Sequence, residues 1–298
     1  MREYLEKVLT LSLFSLAARL PYGVRRCIAA LLSKWIWLMK LDMRRATEVN
    51  LALCYPSLGE ADRQQLAKDS IYHTLLLALE IPVVWTQAAE KSLTQIIAVE
   101  GKALLDEAQK QGKGVIVIAP HLGNWEYLGL YLGQYYQATS LYSPPKKQWL
   151  EKTTRKGREK TGASLQPANR KGVLAVLKAL KQGGVTGILP DQMPEKSSGA
   201  AYVPFFGQVT PTMTLIPNLL QRGDIVAVAG FARRLSNGQF SIIFQPAPAA
   251  IYDHDENIAT TALNQAVEQL VNLAPEQYQW EYKRFRRGDN RARRRVYE

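Results

Sequence analysis

Gly114-Val115-Ile116-Val117-Ile118-Ala119-Pro120-His121-Leu122-Gly123-Asn124-Trp125-Glu126 reads as a strand, a sharp turn and the start of a helix. The unbroken apolar run to Ala119 suits a strand covered on both faces, as in a parallel sheet. Residues 127–132 continue as a helix, and Asn124 is a plausible N-cap whose side-chain oxygen can take a first-turn amide. The turn after a parallel strand is where open α/β sheets place their chemistry. A histidine there, held by a carboxylate, is the usual general base for making an alcohol nucleophilic. On an uninterrupted helix, His121 and Glu126 would point to different faces. They meet only if the chain bends between them, and Gly123-Asn124 permits that. Glu126 also sits at the helix's positive end, which suits an acid. Spacing alone leaves the plainer reading open: a strand-end histidine and an ordinary first-turn acid.

Strand and helix patterns alternate on either side. Helices are expected over 59–88, 104–111, 147–160, 173–181, 211–221 and 257–273. Strands are expected over 96–99, 139–142, 185–189, 225–231 and 240–244. This alternation predicts an α/β fold, a mixed, largely parallel sheet flanked by helices. No internal repeat or low-complexity linker divides the body.

The chain has 298 residues and a net charge of +12, and the excess lies at its two ends. Residues 1–45 carry a net +6, residues 283–295 a net +7, and the remainder is close to neutral. Basic ends on a near-neutral body point to an anionic surface or partner. An acidic membrane, a phosphorylated glycolipid or an acidic carrier protein would each fit. Nucleic acid is disfavoured, because the body is not basic and carries no recognised binding motif. The arginines of the tail also fit a plain solvated end. The two cysteines, Cys27 and Cys54, form no disulfide framework, and no Cys/His set has zinc spacing.

Residues 8–18 and 27–39 are apolar runs bounded by basic residues, the second carrying Trp35 and Trp37. Neither reaches the roughly 20 apolar residues that span a bilayer as a helix. Basic flanks and tryptophans suit the membrane interface. The division expected is therefore 1–45 as N-terminal membrane-interface or anchor helices and 46–298 as the α/β domain with its basic tail. A secretory signal peptide is the alternative for the first run, although Glu3 and Glu6 spoil a basic leader. Two core helices are the other.

The block His121-Leu-Gly-Asn-Trp-Glu126 resembles the H-x4-D/E motif of the bacterial lipid A late acyltransferases, the lauroyl/myristoyl transferase family. The similarity continues in order through Gly157-Arg158, the helix and strand of 174–191 ending in Asp191-Gln192, Val203-Pro204-Phe205-Phe206-Gly207 with Thr210 and Thr212, and 274–285. It covers roughly residues 45 to 287, and its specificity lies in the ordered set. The resemblance implies a glycerolipid-acyltransferase-like fold at the cytoplasmic face of the bacterial inner membrane. It implies transfer of a fatty acyl chain from acyl carrier protein to a hydroxyl of a lipid A precursor, with no metal or other cofactor. His121 would be the base and Glu126 its orienter, with Asn124, Arg158 and Asp191 as substrate-binding residues.

Other readings stand beside this one. Arg158 lies on a basic helix that could be a solvated face, and Asp191 could simply cap a turn. Tyr202, Phe205 and Phe206 are candidates for an acyl groove, although such aromatics are more often core. His73 reads as a core histidine and His254 as a loop residue. An acyltransferase for another glycolipid or a lysophospholipid shares the His-x4-acid logic. Pro190-Asp191-Gln192-Met193 stands where a glycerolipid enzyme carries a Pro-Glu-Gly-Thr block, which argues against the latter. A non-catalytic membrane-bound interaction protein is the alternative from another class.

Overall fold

The computed structural model describes residues 2–145, 147–194, 199–287 and 295–298. Most of the tail expected to be basic, 288–294, thus lies outside the described residues. The N-terminal part is helical: α1 (Arg2–Arg19), α2 (Tyr22–Leu38), α3 (Asp42–Cys54), α4 (Glu60–Thr86) and the short α5 (Ala89–Leu93). Both apolar runs of the N-terminus become helices, split by Pro21, whose fixed φ and missing N–H end the first. Their outer faces stay bare. Leu9, Leu16, Leu31, Trp35 and Leu38 are all more than half exposed. No described helix is long and apolar enough to cross a membrane.

The α/β part follows: β1 (Ile96–Glu100), α6 (Ala103–Lys110), β2 (Gly114–Ile118), α7 (Trp125–Tyr135), β3 (Thr139–Tyr142), α8 (Gln148–Glu159), β4 (Ser164–Pro167), α9 (Arg170–Lys181) and β5 (Val185–Ile188). A hairpin, β6 (Ala200–Phe205) and β7 (Gln208–Met213), precedes α10 (Leu215–Leu220), β8 (Ile225–Arg234), β9 (Phe240–Pro246) and α11 (Glu256–Val271). The main sheet has the order β1-β9-β8-β2-β5. β2 runs parallel to both β8 and β5, β1 runs parallel to β9, and only β8 and β9 are antiparallel. The expected mixed, largely parallel sheet is what forms.

β2 is buried along its whole length, which is why its sequence is uniformly apolar. Its side chains divide between two cores. Val115 and Val117 pack with Leu128, Leu130 and Tyr131 of α7. Ile116 and Ile118 pack with Leu263, Val267 and Leu270 of α11. A single strand with helices on both faces fixes where its C-terminal end emerges, and His121 stands there.

The β6–β7 hairpin and β4 differ from the sequence reading. Residues 211–221 were expected as one helix, but Pro211 lies in β7 opposite Tyr202. Phe206 (φ 47°) and Gly207 (φ 73°) form the tight turn that a twisted hairpin favours. β4 is also additional; it pairs with β3 in a separate two-stranded sheet.

Candidate active site

The segment after β2 is clamped on both sides. Gly123 donates its N–H to the Gln277 carbonyl (3.0 Å), and Asn124 donates to the Ala232 carbonyl (2.9 Å). The His121 carbonyl accepts from the Gln279 N–H at 3.1 Å. Gly123 has φ +61°, and a Cβ there would lie 2.1 Å from the Ala232 carbonyl oxygen. Only glycine tolerates both the conformation and the approach. Gln277 is itself held by the β8 end, accepting from the Arg234 N–H (2.8 Å) and donating to the Arg234 carbonyl (3.0 Å). The motif 274–280, far away in sequence, is thus the strap behind His121.

The carboxylate on the histidine is Asp191, just past β5. Its Oδ1 lies 2.8 Å from His121 Nδ1, and its Oδ2 accepts the His121 backbone N–H at 2.9 Å. The carboxylate is 3 % exposed. Burial alone would raise its pKa. The charge of His121 and the two hydrogen bonds outweigh burial and hold the carboxyl below the usual aspartate range. An ionised Asp191 fixes the proton on Nδ1 and leaves Nε2 as the acceptor. Gln192 Nε2 sits 3.3 Å from that nitrogen, and Trp125 packs edge-on to the ring at 4.9 Å between centroids. Tyr278, fully buried, has its phenol pushed well above the ordinary range by burial and by the Asp191 charge. Arg284, also buried, adds its positive charge to the Asp191 surroundings.

Glu126 was expected to orient His121. Its carboxylate is engaged elsewhere. Arg158 grips it, Nε at 3.0 and 3.2 Å from the two oxygens and Nη2 at 2.5 Å from Oε1. Trp85 Nε1 donates to Oε2 at 3.0 Å. Burial alone would weaken the Arg158 cation, but the Glu126 charge prevails and its pKa is raised. The physical reason for the difference is the turn: Asn124 Oδ1 accepts the Glu126 N–H at 3.2 Å and starts α7 there, aiming Glu126 at α8. Gly157 brings α8 close, since a Cβ at that position would meet Trp85 at 2.7 Å.

Asn124, expected at the substrate, is fully buried, and its Nδ2 donates to Glu80 Oε2 at 2.9 Å. It positions the turn. Glu80 in turn pairs with Arg234, Nε to Oε1 and Nη2 to Oε2 both at 2.7 Å, with both side chains almost fully buried. Arg234 Nη1 also donates to His73 Nδ1 at 2.9 Å. Burial, then the Arg234 charge, lowers the His73 pKa to about 3, which keeps that imidazole neutral. Sequence reading missed Glu80 and Arg234. The signal for Glu80 was a lone acid inside the apolar stretch 75–84.

His121, Glu126 and Arg158 all line one cavity of about 360 Å³. Its other walls are largely apolar, among them Leu128, Leu132, Leu141, Leu165 and Leu189. Gly129 lines it too, and a Cβ there would meet nothing within 4 Å. Phe205, a candidate for an acyl groove, is instead core at 1 % exposure. The cavity is largely of hydrocarbon character, with an imidazole and a guanidinium among its lining groups. Among the described residues, no group of three His, Cys, Asp or Glu is placed to hold a metal ion.

Residues 1–287 match the family described as bacterial lipid A biosynthesis acyltransferase. The chain belongs to that family. It is an acyltransferase of lipid A biosynthesis. Among its relatives are three Escherichia coli (strain K12) enzymes. The lipid A biosynthesis palmitoleoyltransferase is 26% identical over 80% of this chain and 76% of its own. The lauroyltransferase is 26% identical over 91% and 88%. The myristoyltransferase is 24% identical over 87% and 80%.

Proposed function

We propose that this family member transfers a fatty acyl chain from acyl carrier protein to a hydroxyl of a lipid A precursor, at the cytoplasmic face of the bacterial inner membrane. The observation that carries the reading is His121 Nδ1 on the buried Asp191 carboxylate, with the imidazole lining an apolar cavity. His121 Nε2 removes the acceptor hydroxyl proton as that oxygen attacks the thioester carbonyl. A C–O bond forms and the carbonyl becomes a tetrahedral oxyanion. On collapse the C–S bond breaks, and the imidazolium returns its proton to the leaving thiolate. Asp191 stabilises the imidazolium while it lasts.

Arg158 is the cation for the oxyanion. Glu126, itself held by Trp85, grips it, its side chain is a third exposed, and its Nη1 makes no hydrogen bond among the described residues. A preorganised donor aimed at developing charge accelerates such a step. Glu126 acts through Arg158. The acyl chain lies along the leucine-lined cavity. The relatives named above transfer palmitoleoyl, lauroyl and myristoyl chains, so donors differ within the family. The exposed apolar faces of α1 and α2, with their basic residues, support a monotopic seat on an acidic bilayer. The basic charge also complements an acidic carrier.

Mass spectrometry of lipids after incubation with acyl carrier proteins of several chain lengths tests the reading. A lipid A precursor should gain the mass of one acyl group, dependent on the donor. Acylation of lysophospholipid alone, with the glycolipid untouched, would replace it by the lysophospholipid reading.

A further inference from the structure

We infer that a second cavity, lined by α1, α2 and α4, is a binding site for one anionic phospholipid. This goes beyond acyl transfer and is read without it. The cavity measures about 630 Å³ and lies where α1 ends and α2 begins, against α4 and the 235–239 loop between β8 and β9. Three cations line it: Arg19, Arg25 and Lys91. Among the described residues its one acidic lining residue, Glu80, has both oxygens committed to Arg234, and one also to Asn124. Among the described residues the cavity is therefore cationic, its one carboxylate already paired.

Arg25 sharpens the point. Its guanidinium lies 5.8 Å from the Tyr22 ring centroid, and its Nε is shielded from solvent with no hydrogen-bond partner among the described residues. The Arg25 side chain itself lines the cavity, and a guanidinium is a strong partner for a phosphate oxygen. The remaining walls include Leu11, Phe14, Leu20 and Val83, which suit the first methylenes below a headgroup. Leu13, Leu16 and Val24 are exposed on the outer side of the same two helices. A phosphodiester bearing acyl chains, delivered from a bilayer, matches both the charge and the apolar walls. Free phosphate matches only the first.

The probe is phosphatidylglycerol against phosphatidylcholine, titrated into the full chain in neutral detergent micelles and read by native mass spectrometry. Detergent removes the bilayer's own surface potential. We expect one phosphatidylglycerol per chain, held at least about tenfold more tightly than phosphatidylcholine. Arg19→Gln, Arg25→Gln and Lys91→Gln together should erase that preference. The same change at the exposed Lys34, Lys40 and Arg45 should leave it intact. Equal binding of the two lipids by the wild-type chain overturns the inference, whatever the variants do. So does equal loss in both triple variants. Displacement by millimolar inorganic phosphate would make this a small-anion site, and displacement by the glycolipid acceptor an acceptor site; either overturns the assignment to phospholipid.

Discussion

Asp191 holds His121 at two points, its Oδ1 on the ring Nδ1 at 2.8 Å and its Oδ2 on the backbone N–H at 2.9 Å. One carboxylate thereby fixes both the tautomer and the place of the ring. The hold is also a stability term with a definite sign. Burial opposes ionisation, but the His121 charge and hydrogen bonds prevail, so the folded-state pKa lies below the unfolded one. Such a group stabilises the fold above its unfolded pKa of about 3.9 and loses that contribution as pH falls through the folded value. Denaturation of the wild type and Asp191→Asn should show a stability gap that is present at about pH 5 and closes as pH falls below the usual aspartate range. A gap unchanged at pH 3 would contradict this.

Glu126 and Arg158 should behave as one unit. Glu126→Gln and Arg158→Ala are each expected to lower kcat by roughly 10²-fold or more, the size of losing one oxyanion donor. The double variant should fall little further, since Glu126 acts through the guanidinium. Arg158→Lys should not rescue, because an ammonium lacks the two-pronged grip. Steady-state transfer rates check all three. Additive losses would separate the two roles.

Chain length should respond to Gly129. Gly129 lines the leucine-lined cavity, and a Cβ there meets nothing within 4 Å. Gly129→Leu should shift the preferred donor to a shorter chain, by about tenfold or more in relative kcat/KM, while the best short donor keeps its kcat; one lost methylene contact is worth ~1 kcal/mol or more. Competition between donors of two lengths, read in the product lipid, gives the ratio. An unaltered ratio would move the acyl chain out of this cavity.

The Glu80–Arg234 pair is a matter of stability. Both side chains are nearly inaccessible, and Asn124 and His73 depend on them. Removing either partner strands a buried charge, for about 3–5 kcal/mol. Glu80→Met and Arg234→Met should each lower the urea midpoint strongly. The double substitution should recover much of the loss, because no lone charge remains. Recovery of nothing would point to the hydrogen bonds, not the charges, as the source of stability.

Much of this was legible in the sequence. The apolar run of β2, the turn at Gly123-Asn124 and the capped helix follow from local patterns, because β2 is covered on both faces and Asn124 caps α7. The partner of His121 was not. Asp191 lies seventy residues away and reaches His121 only because β5 pairs with β2 in parallel register. A spacing rule favours the near acid, Glu126, and cannot see that α8 offers it a guanidinium. The β6–β7 hairpin was missed for a similar reason. Pro211 reads locally as a helix start, but the turn at Phe206-Gly207 and pairing with β6 decide its conformation.

Acyl transfer by His121→Ala, Asp191→Asn and the double variant tests the central claim most directly. With His121 as the base and Asp191 its support, Asp191→Asn should lower kcat by roughly 10³–10⁴-fold. His121→Ala should fall at least as far, and the double variant should be no slower than His121→Ala within about threefold. Transfer at the wild-type rate by Asp191→Asn or by His121→Ala would contradict the account.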